Sequence, residues 1–289
     1  MTWQTVKYEV SGRVARVSMN RPETHNTLNA RLILELDEAL KQADADPEVR
    51  VIVLRGEGRS FSSGHDLSPN PSDPLQQEFR ERHARSVEDR FDVEEEYYLE
   101  KCLNIRNLRK PTIASVRGHV VLGAMMVASM CDLIVASETT RFWNPSLRHC
   151  GTGGEVLALP WELGVRKAKE YLWTGDPIDI WEAQRLGMVN RVVPDDRLEA
   201  ETMRLAERIA LMPPRALWLT KRSLNKLQEA QGMLQAFEHH FLLHQLGHAT
   251  REAAEWNAEA RRRAQAGGFK AWLLFRDGPF EEQAQKVYE

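Results

Sequence analysis

The stretch VIVLRGEGRSFSSGHDL (Val51–Leu67) decides the architecture. Together with the two residues before it, its first part reads VRVIVLRG (Val49–Gly56), a nearly continuous β-branched run closed by glycine. Such a run predicts a strand buried on both faces. Its second part, SSGHD, is small and polar around a glycine, so backbone N–H groups can approach a ligand without side-chain obstruction. Upstream, TVKYEVSGRVARVSMNRP alternates apolar and polar residues about Ser11-Gly12, as a hairpin does, and Pro22 stops its second strand. NARLILELDEALKQADADP follows at helical spacing, with Asn29 or Thr27 as cap and Pro47 beyond the end. Strand, helix and buried strand in that order predict an α/β fold.

PTIASVRG (Pro111–Gly118) and DLIVAS (Asp132–Ser137) repeat the buried-strand pattern, and the small-residue run Val120–Met130 between them predicts a helix. From Pro160 onward the pattern is helical except for a short strand at VNRVVP (Val189–Pro194). After Pro213-Pro214 the stretches RALWLTKRSLNKL and Met233–Ala266 read as long amphipathic helices. A turn-rich break at Pro69–Pro74 leads into the charged segment Gln76–Arg109, read by default as solvated helix and otherwise as a mobile cover over a pocket.

A chain of 289 residues, 42% of them hydrophobic, buries a full core. Net charge of −3 and a pI near 6.3 leave no basic field for nucleic acid. The three cysteines, Cys102, Cys131 and Cys150, lack Cys-x-x-Cys spacing, which argues against a disulfide framework or a zinc site. No apolar signal segment opens the chain and no stretch reaches membrane-span length, so a soluble cytoplasmic protein is expected.

Two loops invite chemistry. One is SSGHD after the Gly56 strand; in the other, SVRGHVVLGAMMVA, a strand ends at Gly118 and Gly123 falls in the first turn of a helix, where N–H groups lack partners. Alone, each reads as a turn. Aimed at one point, the two donors would form an oxyanion hole.

Through these residues the chain resembles the crotonase (enoyl-CoA hydratase/isomerase) superfamily. NRPETHNTLN is similar to its Asn-Arg-Pro-x-x-x-Asn-x-Leu opening, RSFSSGHDL to its Phe-x-x-Gly-x-Asp loop, and GHVVLGAMMVASMCDLIVAS to its Gly-rich helix ending in Cys-Asp. TGDPIDIWEAQRLGMVNRVVP is similar to a further family stretch, so the likeness runs in order from Val10 to Pro194. The resemblance implies an α/β, crotonase-like spiral of ββα repeats, with residues 1–200 forming the acyl-CoA-binding core and residues 201–289 a helical C-terminal trimerisation region. It implies a homotrimer or dimer of trimers, and an acyl-CoA thioester substrate of which coenzyme A is part, with no separate cofactor and no metal. The thioester oxygen would be held by the amides of His65 and Gly123, a backbone role that leaves the His65 side chain unfixed. Ser63, Asp66 and Leu67 would border the adenine end of coenzyme A, and Glu23, Thr24 and His25 the first CoA-contacting loop.

The family's two glutamates are missing. Their positions fall on Met126 and Ser146, neither of which exchanges a proton near neutral pH. Glu155, expected at a helix start, is the candidate replacement, against the plainer reading of a carboxylate favoured by the helix dipole. His149 and Cys150 share its loop and read as surface or packing residues. Trp143 is a candidate for stacking on a bulky acyl group, or core. His239, His240, His244 and His248 have spacings of a metal site but no matching acid, and read as interface or solvated residues. Three functions stay open: a hydratase or isomerase with a relocated acid–base group; another outcome of the same enolate chemistry (C–C cleavage, decarboxylation or thioester hydrolysis); and a non-catalytic acyl-CoA binder.

Overall fold

The computed structural model describes residues 3–68 and 71–287, with side chains described to residue 281, so residues 69 and 70 of the Pro69–Pro74 break lie outside it. The hairpin β1 (Val6–Ser11) and β2 (Val14–Met19) turns at Gly12, whose φ is +58°. Helix α1 (Ala30–Ala45) follows, with the Asn29 side chain accepting from the Leu32 amide, and then β3 (Val51–Gly56). The charged segment becomes α2 (Pro74–Arg85), α3 (Val87–Glu94), a π-helical turn (Glu95–Leu99) and α4 (Glu100–Asn107). Next come β4 (Thr112–Val116), β5 (His119–Val121), α5 (Gly123–Ser129), β6 (Leu133–Ser137) and β7 (Arg141–Trp143). Helices α6 (Leu159–Leu163), α7 (Val165–Thr174) and α8 (Ile180–Leu186) lead to β8 (Arg191–Val193). The remainder is α9 (Leu198–Ala210), α10 (Pro214–Ala230), α11 (Met233–His248) and α12 (Arg251–Val287), the last broken at Gly267-Gly268.

Six strands form one sheet in the order β1-β2-β3-β4-β6-β8, antiparallel only at the hairpin, and β5 and β7 form a separate parallel pair. The unbroken apolar run of β3 has a direct cause. Ile52 and Leu54 enter the main core beneath α1, whereas Val51 and Val53 join a second cluster with Val14, Ile113 and Val135 under α9. With both faces covered, a strand gains nothing from alternation. Residue 200, where the sequence divides the chain, lies inside α9, which supplies Leu198, Ala206 and Ala210 to that second cluster.

Three expectations are corrected. The Val120–Met130 run is helical only from Gly123, because Val120 and Val121 pair with Phe142 and Trp143 instead. Met233–Ala266 is two helices, parted at Ala249-Thr250. Gln76–Arg109 is no solvated arm: it buries Phe79, Val93, Tyr97, Tyr98, Leu99, Cys102 and Ile105 in the main core, and Glu94 and Arg106 of the same segment are buried too.

Asn26 ties the site-bearing loops together. Fully buried at φ +55°, it donates through Nδ2 to the carbonyls of Glu57 and Ser60 at 2.9 Å each and accepts from the Arg21 amide at 2.8 Å. Asn26→Ala leaves three backbone groups unpaired at about 1–3 kcal/mol each. Denaturant unfolding should therefore show a loss of at least about 3 kcal/mol, as a lower midpoint at unchanged slope.

Candidate active site

The loop Ser60–Asp66 is held from two sides. On one, the Ser62 amide donates to His119 O at 3.0 Å and the Val121 amide to Ser62 O at 3.2 Å; on the other, Leu28 N donates to Gly64 O at 2.8 Å and Asp66 N to Leu28 O at 3.2 Å. Alternation along such a bridge turns the His65 N–H away from Leu28. Gly64, at φ +85°, admits no side chain, since a Cβ there would collide with Val121 O and lie 3.5 Å from the Gly123 nitrogen. Leu122 is held at φ +45°, a costly conformation for a branched residue, and its amide donates to Trp143 O at 3.0 Å. Gly123 is thereby delivered as the first residue of α5, whose N–H has no intrahelical acceptor. Among the described residues neither the His65 nor the Gly123 amide donates a hydrogen bond. A Cβ on Gly123 would stand 3.0 Å from the His65 ring, so the two positions adjoin.

His65 sits at a cavity of about 460 Å³ lined by Ser63, His65, Asp66 and Leu67, by Phe79 and His83 of α2, by Glu94 and Tyr98, by Ser146 and Glu155, and by His244 and His248 of α11; Gly123 lies outside this lining, on a smaller apolar pocket with Leu28, Tyr98 and Met126. Asp66 is a brace: its carboxylate accepts from Arg21 at 3.0 Å and from the Ser68 amide at 2.9 Å. Thr24 and His25 lie outside the lining, behind Ser63, whose amide donates to His25 O at 2.9 Å; Glu23 is exposed beside them. Trp143 lies outside the lining. Its indole N–H donates to Gly175 O at 2.6 Å, and the Arg276 guanidinium lies over its ring.

Met126 is buried against Gly154 and also lies outside the lining, whereas Ser146 lines the cavity and its hydroxyl is buried without a partner. Glu155 is not at a helix start. Gly153 (φ +119°) and Gly154 (φ +97°) fold its loop inward four residues before α6, burying the side chain to 4% exposure. One carboxylate oxygen lies 3.3 Å from His65 Nε2, too misaligned for a hydrogen bond, and the other has no partner. His149 packs on Trp256 and Trp272, and burial together with the Arg276 charge pushes it down to about 4.

Two residues set aside as interface or solvated, His244 and His248, line the cavity, and the acid they lacked is Glu94 from α3. Glu94 is 3% exposed, accepts from Gln245 Nε2 at 2.6 Å, and lies 2.7 Å from His83 Nε2. Burial pushes its carboxyl up, but the His244 and His83 contacts outweigh this and hold it well below the usual range. His244 Nδ1 lies 2.9 Å from Thr152 Oγ1, while His240 bonds Gly154 O and His239 is exposed. The i, i+4 histidines were visible in the sequence; nothing there tied Glu94 to them.

Burial opposes charge on both Glu155 and His65, yet each outweighs it for the other, lowering the carboxyl and raising the imidazole. The carboxylate contribution is present above its unfolded value of 4.5 and is lost as pH falls through the lower folded value. The imidazole contribution is present below 6.5 and is lost as pH rises through the higher folded value. The stability difference between wild type and Glu155→Gln should therefore peak between pH 4.5 and 6.5 and shrink on either side in denaturant titrations across pH.

The enoyl-CoA hydratase/isomerase family profile matches residues 9–262. A putative enoyl-CoA hydratase of Mycobacterium tuberculosis is 41% identical over 261 residues, covering 86% of this chain and 81% of its own. The crystal structure of a probable enoyl-CoA hydratase from Mycobacterium smegmatis superposes with a TM-score of 0.78 at 42% identity, over 85% of this chain and 94% of that one. An enoyl-CoA hydratase/isomerase from Xanthobacter autotrophicus Py2 gives 0.85 at 33% identity, over 96% and 99%. The α/β spiral with its helical C-terminal region is thus the crotonase fold, and this chain belongs to the enoyl-CoA hydratase/isomerase family.

Proposed function

We propose that the protein hydrates or isomerises an enoyl-CoA thioester, with the thioester oxygen accepted by the His65 and Gly123 amides and Glu155 moving the proton. The observation that carries this reading is the Glu155 carboxylate, buried on the cavity that His65 lines, with one oxygen unpartnered and the other 3.3 Å from the ring of His65. For hydration, the oxygen of water bonds to C3 as its proton passes to Glu155, and the C2=C3 electron pair moves onto the thioester oxygen. The enolate then takes that proton at C2. Two preorganised amides stabilise the transient charge, each worth about 2.7–4 kcal/mol. One carboxylate thereby serves both halves, in place of the pair lost at Met126 and Ser146.

Coenzyme A would lie along Ser63, Asp66 and Leu67 toward Glu23, Thr24 and His25. Exposed Leu219, Leu224 and Leu227 on α10, with Leu242, Leu243 and Leu246 on α11, are the face we assign to a homotrimer, alone or as a dimer of trimers.

Crotonyl-CoA should lose its enoyl absorbance when the protein is added, and Glu155→Gln should lower kcat roughly 10²–10⁴-fold with little change in KM. Full activity in the Gln variant, or no absorbance change with any enoyl-CoA, overturns the reading. Release of free CoA thiol would mark hydrolysis instead, and tight acyl-CoA binding without turnover would mark a binder.

A further inference from the structure

We propose that Glu94, His244 and His248 form a binding site for one divalent transition-metal ion, of the zinc or cobalt kind, on the wall of the cavity. The three offer one ligand atom each, all within 4.8 Å of one another. His244 Nε2 is 3.0 Å from His248 Nε2 and 3.3 Å from Glu94 Oε2, and His248 Nε2 is 3.8 Å from Glu94 Oε1. With bonds of about 2.0–2.2 Å, tetrahedral ligand atoms stand about 3.3–3.6 Å apart, so an ion fits among them with small side-chain adjustments.

The donor chemistry points the same way. Two histidines one turn apart on α11 present both Nε2 atoms to one carboxylate, a set suited to zinc and its neighbours. Lone pairs of two imidazoles and a carboxylate converging in a buried space repel unless a cation, proton or metal, sits among them. The surroundings are built to orient ligands. Thr152 Oγ1 lies at His244 Nδ1, Gln245 donates to Glu94 Oε2, and His83 contacts Oε1. Three protein ligands leave a position open, and all three residues line the cavity, so the open position takes water or an oxygen of the bound acyl group. Metal binding is independent of the enoyl-thioester reading and is measured without turnover.

Tag-free protein stripped with a chelator and titrated with Co²⁺ should take up one ion per chain with visible d–d absorption, which Zn²⁺ abolishes by displacement. His248→Ala, whose ring is 29% exposed, and Glu94→Gln should each weaken binding roughly 100-fold or more, while His239→Ala on the exposed face of α11 binds as wild type. If Glu94→Gln does not fold, His248→Ala alone decides. Absence of stoichiometric binding by the wild type, or unchanged affinity in His248→Ala, overturns the proposal.

Discussion

The cavity depends on one clamp: the Ser60–Asp66 loop is hydrogen-bonded through its backbone to Leu28 on one side and to β5 on the other. Backbone bonds of this kind are indifferent to side-chain identity, which is why residue 65 can be a histidine without disturbing its amide. Gly64 is the one position in the clamp where a side chain has no room, because the Val121 carbonyl occupies the space. The strained Leu122 serves the same end from the other side, its conformation maintained by the bond to Trp143 O.

Around the clamp the protein has gathered ionisable groups in an apolar setting. Glu155 with His65 and Glu94 with His244 are two buried pairs, joined by a 4.0 Å approach of His244 Nε2 to Glu155 Oε1. Removing one partner of such a pair leaves an uncompensated charge and is costly, so the four side chains act as a set. The segment from α2 to α4 closes that set from above, contributing His83, Glu94 and Tyr98. Tyr98 packs edge-on against the His65 ring at 4.5 Å between centroids.

Much of this was legible in the sequence, for physical reasons. Strands β3, β4 and β6 announce themselves as apolar runs because both faces are covered, and the two candidate-site loops announce themselves through glycine. Strands β5 and β7, three residues each, are too short to show a period. The Gln76–Arg109 segment misleads because its charged faces dominate the composition while Phe79, Val93, Tyr97 and Ile105 point inward. Its π-helical turn also breaks the 3.6-residue rhythm by which such a face is recognised. The contact of the α11 histidines with Glu94 was hidden because that carboxylate arrives from a helix distant in sequence.

That π-helical turn has a consequence for how members of such a family diverge. A wide turn holds one residue more than an ordinary helix needs for the same sweep, so the helices on either side keep the facing they would have without it. Deleting a single codon within Glu95–Leu99 would restore the regular helix with Glu94 and α4 still facing as they do, while re-aiming the residues of the turn itself, Tyr98 of the cavity wall among them. That part of the wall is therefore open to change by insertion or deletion as well as by substitution.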